Sequence, residues 1–310
     1  MAIVNSNNYY TGVVPESSRN TQVKDLTTGK IFPDVLEWNF EPMTVDKPQK
    51  EKNLAESSDR TVITANKVTA TMSGNLTDAH EILLQLLFDD ASSPYLFAST
   101  IPTTKSANFY QLFLNANGTV ASYDVILGAV ITQFEMTGDA NGLWTYTATI
   151  EGTSYRQQIT NTGGDVLSNI PSLAGTVFQF GNTTCLLYTS KTALNSANVT
   201  ITKSMVDDKL RFQNSMSMAN DRYIGVGGTI SFETLWDNSA DAGGQAKKYD
   251  VTAKANTITL VNASKSWAVL TYGILTEHSR PDADRAEFLA SDTLKLVYSG
   301  ANNPVQITVS

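Results

Sequence analysis

The chain has 310 residues, 41 % of them hydrophobic, with 22 Lys and Arg against 30 Asp and Glu for a formal charge of −8. This length suits one large domain or two of ordinary size, and the apolar share excludes a chain that is disordered throughout. The acidic balance excludes a protein that grips nucleic-acid phosphates, which takes clustered cations, but not a surface that must avoid gripping them.

The opening MAIVNSNNYYTGVVPESSRN lacks the basic start and apolar run of a secretion signal. No apolar stretch in the chain approaches the roughly 18 residues of a membrane-spanning helix. Residues 1–31 read as an N-terminal arm. VLEWNFEPM (Val35 to Met43) alternates as a strand, with Val35 leading and Trp38 and Phe40 on one face. NKVTATMSGNL (Asn66 to Leu76) alternates again, with Val68, Ala70 and Met72 in phase. TDAHEILLQLLFDD predicts a helix over Thr77 to Asp90. Thr77 suits the N-cap, Asp78 suits the first turn, and Ile82, Leu83, Leu86 and Leu87 form one apolar face able to cover a sheet. VASYDVILGAVITQFEM (Val120 to Met136) alternates far beyond the usual strand of about 5–6 residues, as in a large barrel or a projecting arm. It leads into the long hairpin LGAVITQFEMTGDANGLWTYTATIEG.

TNTGGDVLSNIPSLAG (160–175) reads as a linker between a first unit, 32–159, and a second, 176–310, that ends in a C-terminal arm. The second unit repeats the order of the first at an offset of about 160 residues. SANVTITKSM corresponds to the Val35 strand and GGTISFETLWD to the Asn66 strand. NSADAGGQAKKYD stands where the helix stood, but Gly243 and Gly244 each weaken a helix by about 1 kcal/mol. VTAKANTITLV then leads to a second long hairpin, WAVLTYGILTEHSRPDADRAEFLASDTLKLVYSG.

Each unit carries a long charged loop between its first two strands, Thr44–Val62 and Thr202–Tyr223. Loops beyond about 12–15 residues are uncommon in compact domains unless they are used. Their charged residues Asp46, Lys47, Lys50, Glu51, Lys52, Glu56, Asp59 and Arg60, and Lys203, Asp207, Asp208, Lys209 and Arg211, suit a polar contact with another subunit.

Catalytic signatures are lacking. The chain has no G-x-S-x-G, H-E-x-x-H, C-x-x-C or phosphate-loop motif. Its lone Cys185 reads as a small buried hydrophobe, and His80 and His278 are its only histidines. PDADRAE, with Asp282, Asp284 and Glu287, lacks the glycine and the closing ligand of a Ca²⁺ loop. GVGG (Gly225 to Gly228) precedes a strand, so it reads as a turn or a close backbone approach and not as a phosphate cradle. Tyr9, Tyr10, Trp144, Tyr146 and Trp236 have the chemistry to stack on sugars, although strand aromatics are more often core.

The two long hairpins, the strand–helix stretch VTATMSGNLTDAHEILLQLL and the strand–loop–strand NVTITKSMVDDKLRFQNSMSMANDRYIGVGGTISFETLWD resemble the major tail tube proteins of long-tailed bacteriophages. The likeness is to the longer members, with two tube-like halves in one chain. It implies a mainly β fold of two tandem β-sandwich or half-barrel units, each with a flanking helix, the second one weak. It further implies a virion structural protein, not an enzyme, without metal or cofactor, made in the host bacterial cytoplasm and placed in the tail. Neighbouring subunits would share one β-barrel, as three chains with pseudo-sixfold symmetry or as six. Rings would stack through the two charged loops and meet other tail proteins at the tube ends. Double-stranded DNA would pass through without specific binding, and no membrane is involved. Six halves of about four strands each give a barrel about 45–50 Å across. The alternative on composition is a two-module β-sandwich that binds carbohydrate or acts as an adhesin.

Overall fold

The computed structural model describes residues 9–46, 61–97, 105–140, 142–173, 175–188, 193–205, 223–235, 252–279 and 289–310. The strands of the first half are β1 (Tyr9–Pro15), β2 (Lys30–Phe32), β3 (Val35–Asp46), β4 (Thr61–Asn75), β5 (Tyr95–Leu96), β6 (Ala107–Leu114), β7 (Val120–Asp139), β8 (Thr145–Gly152) and β9 (Ser154–Thr160). Between β4 and β5 a 3₁₀ turn (Asp78–His80) leads into the helix α1 (Glu81–Phe88). Then follow β10 (Thr184–Leu187), β11 (Ser196–Met205), β12 (Tyr223–Leu235), β13 (Lys254–Val261), β14 (Ser266–Ser279), β15 (Leu289–Leu296) and β16 (Val305–Val309). The described chain is mainly β, and its strands join one large open antiparallel sheet.

An eight-strand run forms the centre, in the order β3-β4-β8-β7-β11-β12-β15-β14. β7 belongs to two layers. Its first half pairs with β6 on one side and β9 on the other; its second half pairs with β8 and β11. The change falls at Gly128, whose φ is +61° and where a Cβ would stand 2.3 Å from Thr153 Oγ1, so only glycine fits. β14 divides the same way. Ser266–Gly273 pairs with β13 and Trp267–Thr271 with β16, whereas Gly273–Ser279 pairs with β15. The second layer also takes in β1, between β6 and β2, and β10, on β13. Within the stretch read as an N-terminal arm, Tyr9–Pro15 and the start of β2 are sheet, and the stretch read as a C-terminal arm contributes β16.

Alternation explains the faces. In β8, Tyr146, Ala148 and Ile150 point inward and Thr145, Thr147 and Thr149 outward. Opposite residues carry the same face across the sheet: Tyr146, Met136, Val199, Ile230, Leu294 and Leu275 form one transverse buried row. Each such side chain contributes roughly 1.5–3 kcal/mol on burial. α1 lies on this apolar side. Ile82, Leu83, Leu84, Leu86, Leu87 and Phe88 are all buried, so the helix is sunk into the core more fully than a single apolar face implies.

Two sequence expectations change. In β3, Leu36 and Trp38 turn inward, whereas Val35 faces out, 40 % exposed. Gly225 to Gly228 lie within β12, not before it. Gly228 has φ +146°, and a Cβ there would meet the Thr200 carbonyl oxygen at 2.1 Å, so the glycine permits a close approach to β11.

Candidate assembly surface

The outward face of the eight-strand run is a continuous polar carpet. One transverse row reads Asn75, Thr145, Thr137, Asn198, Ser231, Thr293 and Glu277 across seven strands. Hydroxyls and amides tie neighbours together: Asn198 Nδ2 donates to Thr137 Oγ1 at 2.9 Å and also to Glu135, and Ser231 Oγ lies 3.1 Å from Thr293 Oγ1. The described charged side chains of this face are Glu37, Glu135, Asp139, Glu151, Glu233 and Glu277 against Lys295 alone. The face is acidic and has no aromatic on it among the described residues.

Its two long edges are open among the described pairings. β3 pairs only with β4, and Ile274–Ser279 of β14 only with β15. Gly273 pairs with Lys254 of β13 and with Leu296 of β15, which must lie on opposite sides of β14. The open flank of β14 is therefore the one β13 occupies further back. On β7 the matching flank holds β6 further back and, beyond it, β11, paired from Thr202↔Gln133 to Ser196↔Asp139.

β7 and β14 share a further detail. Each has a bulge beside its hairpin partner, at Thr132 in β7 and at Thr276 in β14. Thr132 Oγ1 donates to Thr149 O at 3.4 Å, and Thr276 Oγ1 to Thr293 O at 2.9 Å.

Buried polar groups lie behind this face. Thr77 N–H donates to His80 Nδ1 at 2.9 Å, so Nε2 carries the proton and donates to Asp34 Oδ2 at 2.7 Å. Tyr146 Oη donates to the same oxygen at 2.6 Å, and burial followed by the Asp34 charge pushes its pKa well above the usual tyrosine value. His80 stacks on Phe32 with ring centroids 4.3 Å apart. This cluster has catalytic residue types, but His80 is fully buried; its hydrogen bonds join the helix start to the β2–β3 corner, and the Tyr146–Asp34 bond ties that corner to β8. Sequence reading did not pair Asp34 with His80, because they are far apart in the chain and nothing local marks them.

Of the residues expected to stack rings, Lys47, Lys50, Glu51, Lys52, Glu56, Asp59, Arg60, Asp207, Asp208, Lys209 and Arg211 lie outside the described residues, as do Asp282, Asp284 and Glu287. Asp46 ends β3, opposite Thr61. Lys203 is not on a loop. It lies on β11 and is 1 % exposed, its ammonium 2.7 Å from Asp89 Oδ2 and 3.4 Å from Leu86 O at the end of α1. A contact with another ring would not use this side chain. Trp144 and Tyr146 are core. Cys185 is half-buried on β10, and burial pushes its thiol pKa up.

Among the described residues no group of three or more His, Cys, Asp or Glu is placed to hold a metal ion, and no helix is long and apolar enough to cross a membrane. No known protein family and no curated protein matches the chain.

Proposed function

We propose that this protein is a structural subunit of a viral tail tube, built of two tandem units that add sections to a shared β-barrel around a DNA conduit. One observation carries the reading: both open edges have counterparts inside the chain that are bonded to each other. Strand pairing aligns β3, β4, β8 and β7 with β11, β12, β15 and β14, and the Thr132 and Thr276 bulges fall at the same place. In that alignment β3 matches β11 and the end of β14 matches the end of β7. The joint between β7 and β11 is then the pattern for a joint between β14 of one copy and β3 of the next. Such a contact is head-to-tail, so it closes into a ring or runs on as a filament. A long exposed edge otherwise invites aggregation, and closure removes it.

With eight central strands per chain, three chains give about 24 strands and a backbone diameter of about 45–50 Å. Turned inward, the Thr, Ser and carboxylate face would repel phosphates and let duplex DNA slide. The carbohydrate-binding alternative lacks support: Tyr298 is the one aromatic among the large exposed hydrophobics of the described residues.

The register makes the test specific. Thr200 pairs with Glu135 in the internal joint, and their counterparts are Asn39 and Ser279. In a Cys185→Ser background, Asn39→Cys with Ser279→Cys is expected to oxidise to a closed covalent trimer, with rings or tubes by negative-stain microscopy. Persistent monomers that never cross-link, at any concentration, sink the proposal.

A further inference from the structure

Lys203 continues the inward phase of β11 after Ala197, Val199 and Ile201, so a lysine stands where the alternation calls for an apolar side chain. Its Nζ lies 2.7 Å from Asp89 Oδ2, and neither side chain has any exposure. Well-packed apolar residues serve such a place at least as well, because desolvation cancels most of the attraction within a buried ion pair. The pair also joins distant parts of the chain. Asp89 ends α1, and Lys203 lies one residue beyond Thr202↔Gln133, the last described pairing of β11 with β7.

We propose that Lys203 and Asp89 condense to an isopeptide bond, a covalent tie across the chain that forms within the folded protein without an enzyme. The fold already holds the two groups in contact, so no encounter is needed. Burial outweighs their mutual attraction: it pushes the Asp89 carboxyl up and the Lys203 ammonium down, and the Arg19 charge lowers Lys203 further. Both shifts favour the proton on the carboxyl, which leaves a neutral amine, the nucleophilic form, beside a neutral acid. Leu86 O accepts from Lys203 Nζ at 3.4 Å and helps to hold the amine in place. Lys105 N–H donates to Asp89 Oδ1 at 2.8 Å, where the negative charge of a tetrahedral adduct gathers. The Nζ lone pair attacks Cγ and forms the C–N bond. One Nζ proton passes to Oδ2, which already carries the carboxyl proton. The Cγ–Oδ2 bond then breaks, and Oδ2 leaves as water. An amine and an acid thus give an amide and one water, with no oxidant, reductant or cofactor. The bond pins β11 to the end of the helix that packs on β7. Both reactants belong to one chain, so the proposal does not rest on the tube reading.

The experiment follows the intact mass of the full-length chain, denatured for measurement, as the folded protein ages, together with a tryptic peptide map. The expected chain is lighter than its sequence by one water, and the light fraction grows with time in native buffer but not in urea. Trypsin should then release a branched peptide that joins residues 68–105 to residues 192–209, uncleaved after Lys203. Lys203→Arg keeps a cation but lacks the amine, and it should stay at full mass. If that variant does not fold, the map of the parent decides alone. A folded parent that keeps its full mass, and yields separate peptides ending at Lys105 and Lys203, overturns the proposal. A lost water that maps elsewhere, such as a succinimide at another aspartate, overturns it equally.

Discussion

Lys203 Nζ lies 2.7 Å from Asp89 Oδ2, with both side chains at zero exposure. The pair joins β11 to the end of α1, where Asp89 adopts a left-handed conformation at φ 55° and accepts from Lys105 N–H at 2.8 Å. Burial raises the Asp89 pKa and lowers that of Lys203, and each charge opposes the shift of the other. Such a pair adds little net stability but is costly to break from one side. Lys203→Met is expected to lose about 3–5 kcal/mol in urea unfolding. Lys203→Met with Asp89→Asn should lose clearly less than the first change alone. Equal losses would mean that packing, not the uncompensated charge, governs the site.

Gly228 makes a sharper backbone prediction. Its φ of +146° and the 2.1 Å approach of a Cβ to Thr200 O leave no room for alanine. Gly228→Ala should lose more than about 2 kcal/mol, against about 0.5–1 kcal/mol gained where alanine fits. Gly164, with nothing within 4 Å of its Cβ, is the control and should stay within about 0.5 kcal/mol of the parent. Equal effects at the two sites would contradict the close approach.

Much of the sheet was legible in the chain because period-two alternation survives wherever one face is buried and the other wet. The strand predicted over Val120 to Met136 runs from Val120 to Asp139, and Val68, Ala70, Met72, Val199, Ile201, Ile230 and Phe232 all point inward. The helix was readable from Thr77 and its leucines. What failed was information that only pairing supplies. Val35 against Leu36 is a choice of face that two apolar neighbours leave open. Lys203 reads as the start of a charged loop, yet its strand continues to Met205 and its position faces the core. The acids Glu37, Glu135 and Glu277 are scattered in sequence and fall on one face only after eight strands align.

The tandem-unit reading matches two cross-strand pairs of different chemistry. Phe134 stands opposite Ala148, and His278, its counterpart under that reading, stands opposite Asp292, Nδ1 to Oδ1 2.5 Å, the two side chains 5 % and 3 % exposed. Burial and the Asp292 charge raise the pKa of Tyr188 nearby. His278→Phe alone leaves the carboxylate buried and should lose about 3 kcal/mol or more. His278→Phe with Asp292→Ala introduces the Phe–Ala pair that Phe134 and Ala148 form and, if the units are packed alike, should recover most of that loss. Thermal unfolding of the three proteins decides it, and no recovery in the double variant would show that the two places are not packed alike.

Burial also sets a pH dependence. The carboxyl of Asp124 is pushed above the ordinary aspartate value, chiefly by burial, although Gln158 N–H donates to it at 2.5 Å. A raised folded pKa means that the folded state holds a proton the unfolded state has lost. The contribution is therefore present below the unfolded value and is lost as pH rises through the folded one. Asn in this place keeps the acceptor and cannot titrate. The stability of the parent relative to Asp124→Asn should thus decline as pH rises through and just above the carboxylate range. Urea unfolding across that range checks the sign, and a difference that grows with pH would reverse the argument.

The acidic face yields the functional prediction. If DNA passes the face formed by Glu37, Glu135, Asp139, Glu151, Glu233 and Glu277, sliding depends on repulsion. Replacing Glu37, Glu151 and Glu277 with lysine leaves three acids against four ammonium groups on the described face and reverses its sign. Assembled tubes of the parent should not retain duplex DNA even at low salt. The lysine tubes should retain it near 50 mM salt and release it by about 200 mM, because the new contacts act through counterion release. Filter retention of labelled duplex on assembled tubes measures both. Retention by the parent, or none by the lysine tubes at low salt, would mean that this face does not line the passage.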